Sequence, residues 1–182
     1  VYICELYNLP EVANFWEEVI KINNFQKNRF SKKLITAFKK QNKYNAISIL
    51  GWSFKKDTND SRESASIYIT ENILNENINV NVYDPMIKKS QILNDIKNIF
   101  EQKGINKKEI TQKIKKINVF DSPYTALEES NIIAIITEWD DFKKLDWKKI
   151  SNNINGEIYL FDGRNILNDL NLKSEKIKYF KL

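Results

Sequence analysis

From residue 43 onward, short apolar runs alternate with longer amphipathic stretches, and that alternation restricts the chain to one class of fold. Runs at 46–50, 79–83, 117–120, 132–137 and 157–161 read as strands, and 177–180 reads as a strand closing the sheet edge. Ala65, Ile69 and Ile73 form the buried stripe of one intervening helix. Residues 91–102 and 125–129 read as further helices, 140–152 as short helical turns, and the polar, basic stretch 105–116 as a surface excursion. Strands alternating with helices imply right-handed crossovers between parallel neighbours. The expectation is a Rossmann-like α/β domain with a mainly parallel sheet and flanking helices.

Residues 1–42 follow a different period. Val12, Trp16, Val19 and Ile20 recur at helical spacing, and Phe30, Leu34 and Phe38 continue the pattern. A break is expected near Leu9-Pro10, with Pro10 in the first turn of a new helix where its missing N–H costs nothing, and a second break at Asn23-Asn24. Two apolar stripes that precede the α/β unit need cover, from their own domain or from a second copy of the chain, and a two-fold interface is the favoured reading. The sequence thus divides into a helical dimerisation segment (1–42), with a homodimer built through residues 10–42, and an α/β domain (43–182). The chain opens at Val1 inside an apolar run and reads as a fragment of something longer.

Composition removes several function classes. Lys and Arg outnumber Asp and Glu by 29 to 24, but the lysines are spread among asparagine and glutamate instead of gathering in a patch. That distribution fits a solvated surface better than a nucleic-acid-binding one. With no histidine and the single Cys4, neither a zinc site of the usual kind nor a disulfide framework can be assembled. No apolar run approaches the roughly 20 residues of a membrane helix. A cytoplasmic protein without nucleic-acid or membrane partners is expected. Cys4 lies in an apolar helical run with no histidine to act as its base, so a structural role is expected for it.

The richest segment is Gly51-Trp52-Ser53-Phe54-Lys55-Lys56-Asp57-Thr58-Asn59-Asp60-Ser61-Arg62-Glu63-Ser64, which follows the strand at 46–50. Groups at the carboxyl end of such a strand lie where open α/β sheets bind ligands. Lys55, Lys56 and Arg62, beside a helix N-terminus, suit a phosphate or diphosphate, although Lys55 and Lys56 also read as surface lysines beside Asp57 and Asp60. Asp60-x-x-Glu63 has capping-box spacing. One glycine stands where a dinucleotide-binding turn needs three. Arg164, in Phe161-Asp162-Gly163-Arg164, lies on the same sheet edge and reads either as a second ligand cation or as a turn residue paired with a carboxylate. Asp84-Pro85 reads as a turn in preference to a ribose ligand. Thr137-Glu138-Trp139-Asp140 either lines the cleft or caps the next helix.

These segments together resemble the UDP-glucose/GDP-mannose dehydrogenase family. The resemblance rests on the stretch from Gly51 to Ser64, on Tyr83-Asp84-Pro85, Thr137-Glu138-Trp139-Asp140-Asp141-Phe142 and Phe161-Asp162-Gly163-Arg164, and on Cys4-Glu5 followed by Asn8-Leu9-Pro10-Glu11-Val12-Ala13. It covers nearly the whole chain apart from 105–116. Phe54-Lys55-Lys56-Asp57-Thr58 and the segment from Thr137 to Asp140 are most similar to the branch that oxidises UDP-glucose. The resemblance implies a four-electron oxidation of UDP-glucose to UDP-glucuronate with two NAD+ reduced in succession, NAD being held by an N-terminal Rossmann domain. It places Phe54, Lys55 and Arg164 on substrate-binding positions and Arg62 on a position that reaches NAD. It places no catalytic residue in this chain, because the family's cysteine nucleophile and glycine-rich NAD turn lie in segments this sequence does not contain. The 182 residues alone are therefore expected to be inactive. The alternatives are a non-catalytic nucleotide-sugar-binding or oligomerisation module, and a relative acting on UDP-N-acetylhexosamine or GDP-mannose.

Overall fold

β1 (Ala46–Leu50) is buried along its whole length, as a central parallel strand covered on both faces must be. It pairs on one side with β2 (Asn79–Tyr83) and on the other with β4 (Ile132–Ile135), which is equally buried. The computed structural model describes residues 1–41, 45–167 and 176–181. Within them the sheet runs in the order β3-β2-β1-β4-β5-β6, with β3 at Ile117–Val119, β5 at Ile158–Asp162 and β6 at Ile177–Lys181. Every neighbouring pair is parallel. The chain moves outward from β1 to β3, then returns to start again at β4. That reversal leaves a crevice outside the carboxyl ends of β1 and β4, where doubly wound sheets bind ligands.

The helices are α1 (Tyr2–Leu6), α2 (Pro10–Gln41), α3 (Ala65–Asn75), α4 (Lys89–Gln102), α5 (Lys107–Ile114), α6 (Pro123–Leu127), α7 (Asp140–Lys143) and α8 (Trp147–Asn153). One face of the sheet packs Ile47, Ile49 and Val80 against Ile73, Ile96 and Leu34. The other packs Leu50, Ile133 and Ile135 against Phe142, Trp147 and Ile150. Helix α2 is therefore part of the domain along its C-terminal half: Phe30 meets Phe161 edge to face at 6.3 Å, and Leu34 is fully buried. The expected domain limit at 42/43 falls outside the described residues.

Three local expectations are corrected. Helix α2 runs without a break through Asn23-Asn24, because two asparagines in an otherwise helical run cost only a few tenths of a kcal/mol each. Residues 105–116 are not a loose excursion. Asn106 accepts the Glu109 N–H at 3.0 Å to start α5, and Ile110 joins the core alongside Phe100. The capping box at Asp60 and Glu63 does not form. Glu63 sits at φ +57°, which no first-turn residue adopts, and α3 starts after Ser64, whose hydroxyl accepts the Ser66 N–H at 3.3 Å.

Candidate functional site

Gly51 follows β1 at φ +97°, and a Cβ there would lie 2.5 Å from that of Thr137. Only glycine lets the β1–α3 loop cross the end of β4 this closely. The Thr137 hydroxyl then donates to the Ser53 carbonyl at 2.7 Å, and the Ser66 hydroxyl donates to the Gly51 carbonyl at 2.7 Å. On the other side, the Trp52 and Ser53 N–H groups donate to Asp84 Oδ2 at 2.6 and 3.0 Å. The buried Trp52 indole donates to Asp95 at 2.9 Å, an acceptor shared with the Ser61 hydroxyl. Phe54 N–H closes the loop onto the Asp60 carbonyl at 2.8 Å. The backbone is fixed at nearly every step, yet the Phe54 side chain that follows is 51% exposed.

Phe54 and Lys55 open onto a cavity of about 650 Å³. Arg164 and Glu138 wall it from the sheet edge, Glu63 and Tyr68 from the start of α3, and Asn23, Asn24 and Lys27 from α2. Arg164 is anchored: its Nε donates to the Ile136 carbonyl at 2.6 Å and lies 3.2 Å from Glu138 Oε2, while Nη2 reaches the Phe54 carbonyl at 3.4 Å. A guanidinium carries five N–H donors, so these contacts leave donors for a ligand. Asp162, wholly buried at the end of β5, sets the Arg164 backbone by accepting its N–H at 3.0 Å. The same carboxylate accepts the Leu167 N–H and the Tyr179 hydroxyl, and burial followed by this contact pushes the Tyr179 hydroxyl well above the usual phenol range.

On the opposite wall, Lys27 Nζ stands 3.7 Å over the Tyr68 ring, and the Tyr68 hydroxyl donates to Glu63 at 2.6 Å. Burial, then Glu63, pushes that hydroxyl up to about 12, so Tyr68 remains a neutral donor at any physiological pH. Desolvation lowers the Lys27 ammonium. The ensemble combines the cations Lys55, Arg164 and Lys27, an exposed aromatic ring and several amide donors. It suits a ligand with an anionic centre, hydroxyl groups and a flat ring.

The structure brings Phe54, Lys55 and Arg164, the positions the resemblance implied for substrate, to one cavity, and Arg164 also meets a carboxylate, Glu138. Arg62 does not line that cavity. Its side chain is 88% exposed and forks onto Asp60 at 2.7 Å, a contact that holds the Asp60 carboxyl down to about 2 and raises the guanidinium. Lys56 turns away to Asp140 at 2.7 Å, and Asp140 pairs there instead of capping α7, whose N-cap is Trp139. Asp84 does form the expected turn, accepting the Met86 and Ile87 N–H groups, but it also holds two other loops. Cys4 is half-buried in α1. Lys27 and Tyr68 were not singled out in the sequence, because their meeting depends on the register of α2 against α3. Among the described residues no cluster of metal-ligating side chains occurs, and no helix is long and apolar enough to cross a membrane.

Comparison with known proteins places these segments in context. A family model described as "UDP-glucose/GDP-mannose dehydrogenase family, UDP binding domain" matches residues 48–169. A UDP-glucose 6-dehydrogenase of Gallus gallus is 37% identical over 179 residues, covering 98% of this chain and 35% of the relative. One of Caenorhabditis elegans is 36% identical over 182 residues, covering all of this chain and 36% of the relative. The chain thus spans about a third of the length of the curated relatives it matches. Among solved structures, the UDP-N-acetyl-mannosamine dehydrogenase Cap5O from S. aureus superimposes with a TM-score of 0.65 at 21% identity, covering 98% of this chain and 35% of that one. A UDP-glucose dehydrogenase from Pyrobaculum islandicum does so at 0.64 and 17%, covering 100% and 34%. At those identities the two structures speak to the fold.

Proposed function

The chain belongs to the UDP-glucose/GDP-mannose dehydrogenase family, and from that premise we propose that it is the nucleotide-sugar-binding part of a UDP-glucose 6-dehydrogenase. The observation that carries this reading is the convergence of Phe54, Lys55 and Arg164 on one cavity at the crevice beside β1 and β4. In this assignment Lys55 and Arg164 neutralise the diphosphate, and Phe54 offers its exposed ring and its fixed backbone. Charge-assisted bonds from two cations of different shape give both strength and orientation. Holding the diphosphate and uridine fixes the sugar's C6 hydroxyl relative to the oxidising groups, which is the contribution that positioning makes to catalysis.

Conversion of UDP-glucose to UDP-glucuronate removes four electrons, and NAD, when bound, supplies the hydride acceptor twice. The β1–α3 turn is not built to cradle a dinucleotide: the space where a pyrophosphate would approach Gly51 is filled by Thr137, and the loop amides of Trp52 and Ser53 are spent on Asp84. Arg62, free of the cavity and carried on an exposed turn, is the residue we assign to NAD contact from this side. No described residue is assigned as catalytic. We further propose a homodimer through residues 10–42. Val12, Phe15, Trp16 and Ile20 are exposed on the N-terminal half of α2, an apolar surface of the kind that marks association.

Calorimetric titration of this chain with UDP tests the site. Binding is expected in the wild type, at least tenfold weaker binding in Lys55→Ala and Arg164→Ala, and weaker binding of GDP than of UDP. UDP affinity unaffected by both substitutions sinks the assignment. The chain alone is expected to produce no NADH from UDP-glucose and NAD+, and substantial turnover would overturn the division of labour.

A further inference from the structure

We propose that Asp84 is the positioning residue of the site, a reading that rests on the UDP assignment above. The residue is 7% exposed. Oδ2 accepts the N–H groups of Trp52 and Ser53 at 2.6 and 3.0 Å and the Trp139 indole at 3.1 Å. Oδ1 accepts those of Met86 and Ile87 at 2.8 and 3.0 Å. These donors come from the loops that leave β1, β4 and β2, the three strands at the centre of the crevice. One side chain at the end of β2 therefore sets the mutual position of all three.

The consequence reaches the ligand residues directly. Asp84 grips the loop at Trp52 and Ser53, immediately before Phe54 and Lys55. The two peptides that follow are held through their carbonyls, by Thr137 on that of Ser53 and by Arg164 on that of Phe54. With its amides fixed from one side and its carbonyls from the other, the segment presents Phe54 and Lys55 in one geometry before any ligand arrives. Both carboxylate oxygens face inward onto these donors, so Asp84 acts through the loops and does not serve as a hydroxyl ligand.

The chemistry requires a carboxylate. Its two oxygens offer about four acceptor positions and no donor, which matches a shell composed of N–H groups. An amide of the same shape keeps one acceptor oxygen and turns an NH2 onto the remaining donors, leaving buried N–H groups unpaired. Asp84→Asn thus preserves volume while disrupting two or three of the five contacts, according to which oxygen becomes the NH2.

The test combines UDP titration with amide NMR on wild type, Asp84→Asn, Lys55→Ala and the double variant. We expect Asp84→Asn to weaken UDP at least tenfold. We expect the double variant to bind no more than about twofold more weakly than the weaker single variant, because residues acting through one element are not additive. A purely structural defect would multiply the two losses, and that result overturns the proposal. So does an Asp84→Asn affinity within twofold of wild type. The NMR arm needs no ligand. The amides of residues 52–55 and the Trp139 indole should shift and broaden in Asp84→Asn while hydrogen-exchange protection in β1 and β4 stays at wild-type level. Unchanged loop resonances overturn the proposal, whereas absent wild-type UDP binding would count against the ligand assignment alone. Should Asp84→Asn fail to fold, Trp139→Phe reads the same linkage. That swap removes the indole N–H together with part of the ring, so the Trp52 and Ser53 amides should lose hydrogen-exchange protection as well as shift, and unchanged protection would refute the link.

Discussion

On the C-terminal half of α2, Phe30, Leu34 and Ala37 disappear into the core, while on the N-terminal half Val12, Phe15, Trp16, Ile20 and Phe25 stay between 42% and 62% exposed. Both halves belong to one unbroken helix and carry comparable apolar side chains at comparable spacing. What separates them is the surface they reach. The C-terminal half lies against α3 and the Phe161 side of the sheet, whereas the N-terminal half meets the domain at Asn23 and Asn24, on the cavity wall, and leaves Val12, Phe15 and Trp16 in solvent. Helical periodicity reports that a face seeks burial and does not report against what. The same helix therefore contributes folding energy at one end and, in the proposed dimer, association energy at the other.

Three substitutions separate those contributions, from the largest effect to the smallest. Leu34→Ala should destabilise the folded chain by about 2–5 kcal/mol in urea or thermal unfolding, since it empties a fully enclosed site. A loss below about 1 kcal/mol would show that the C-terminal half is not the anchor it looks to be. Trp16→Ala should leave the stability of the isolated subunit within about 0.5 kcal/mol, yet weaken self-association roughly tenfold or more in sedimentation equilibrium. Equal effects on both readouts would erase the distinction between the halves. Lys21→Ala removes exposed pairs with Glu17 and Glu18, which raise the Lys21 ammonium but are well solvated. No resolvable change in Tm is expected, and a measurable one would mean that this face is already covered.

The strands were the most legible part of the chain. β1 and β2 lie at the residues the apolar runs indicated, because β-branched runs bounded by glycine or Asp-Pro admit few alternatives. Helix α5 was hidden because a single buried residue, Ile110, ties it to the core and leaves no visible stripe. The false capping box at Asp60 had the right spacing, and the left-handed turn at Glu63 that displaced it has no signature in an acidic residue. For the site, the convergence of Lys55 and Arg164 followed from both lying after strands of one parallel sheet. The carboxylates that hold them did not, since Asp84-Pro85 and Asp162-Gly163 look like ordinary turns. Their bonds to Trp52, Trp139 and Tyr179 join residues 17 to 55 positions apart.

Arg164 spends part of its guanidinium on the carbonyls of Ile136 and Phe54, peptides that follow two different strands. A lysine at 164 would keep the charge but lacks the planar fork needed to reach both carbonyls at once. The position is thus constrained twice, by what the cavity takes up and by how the sheet edge is closed. Drift that is nearly neutral for charge would still open the edge, so sequences wandering away from this arginine should lose their fold margin and their recognition together.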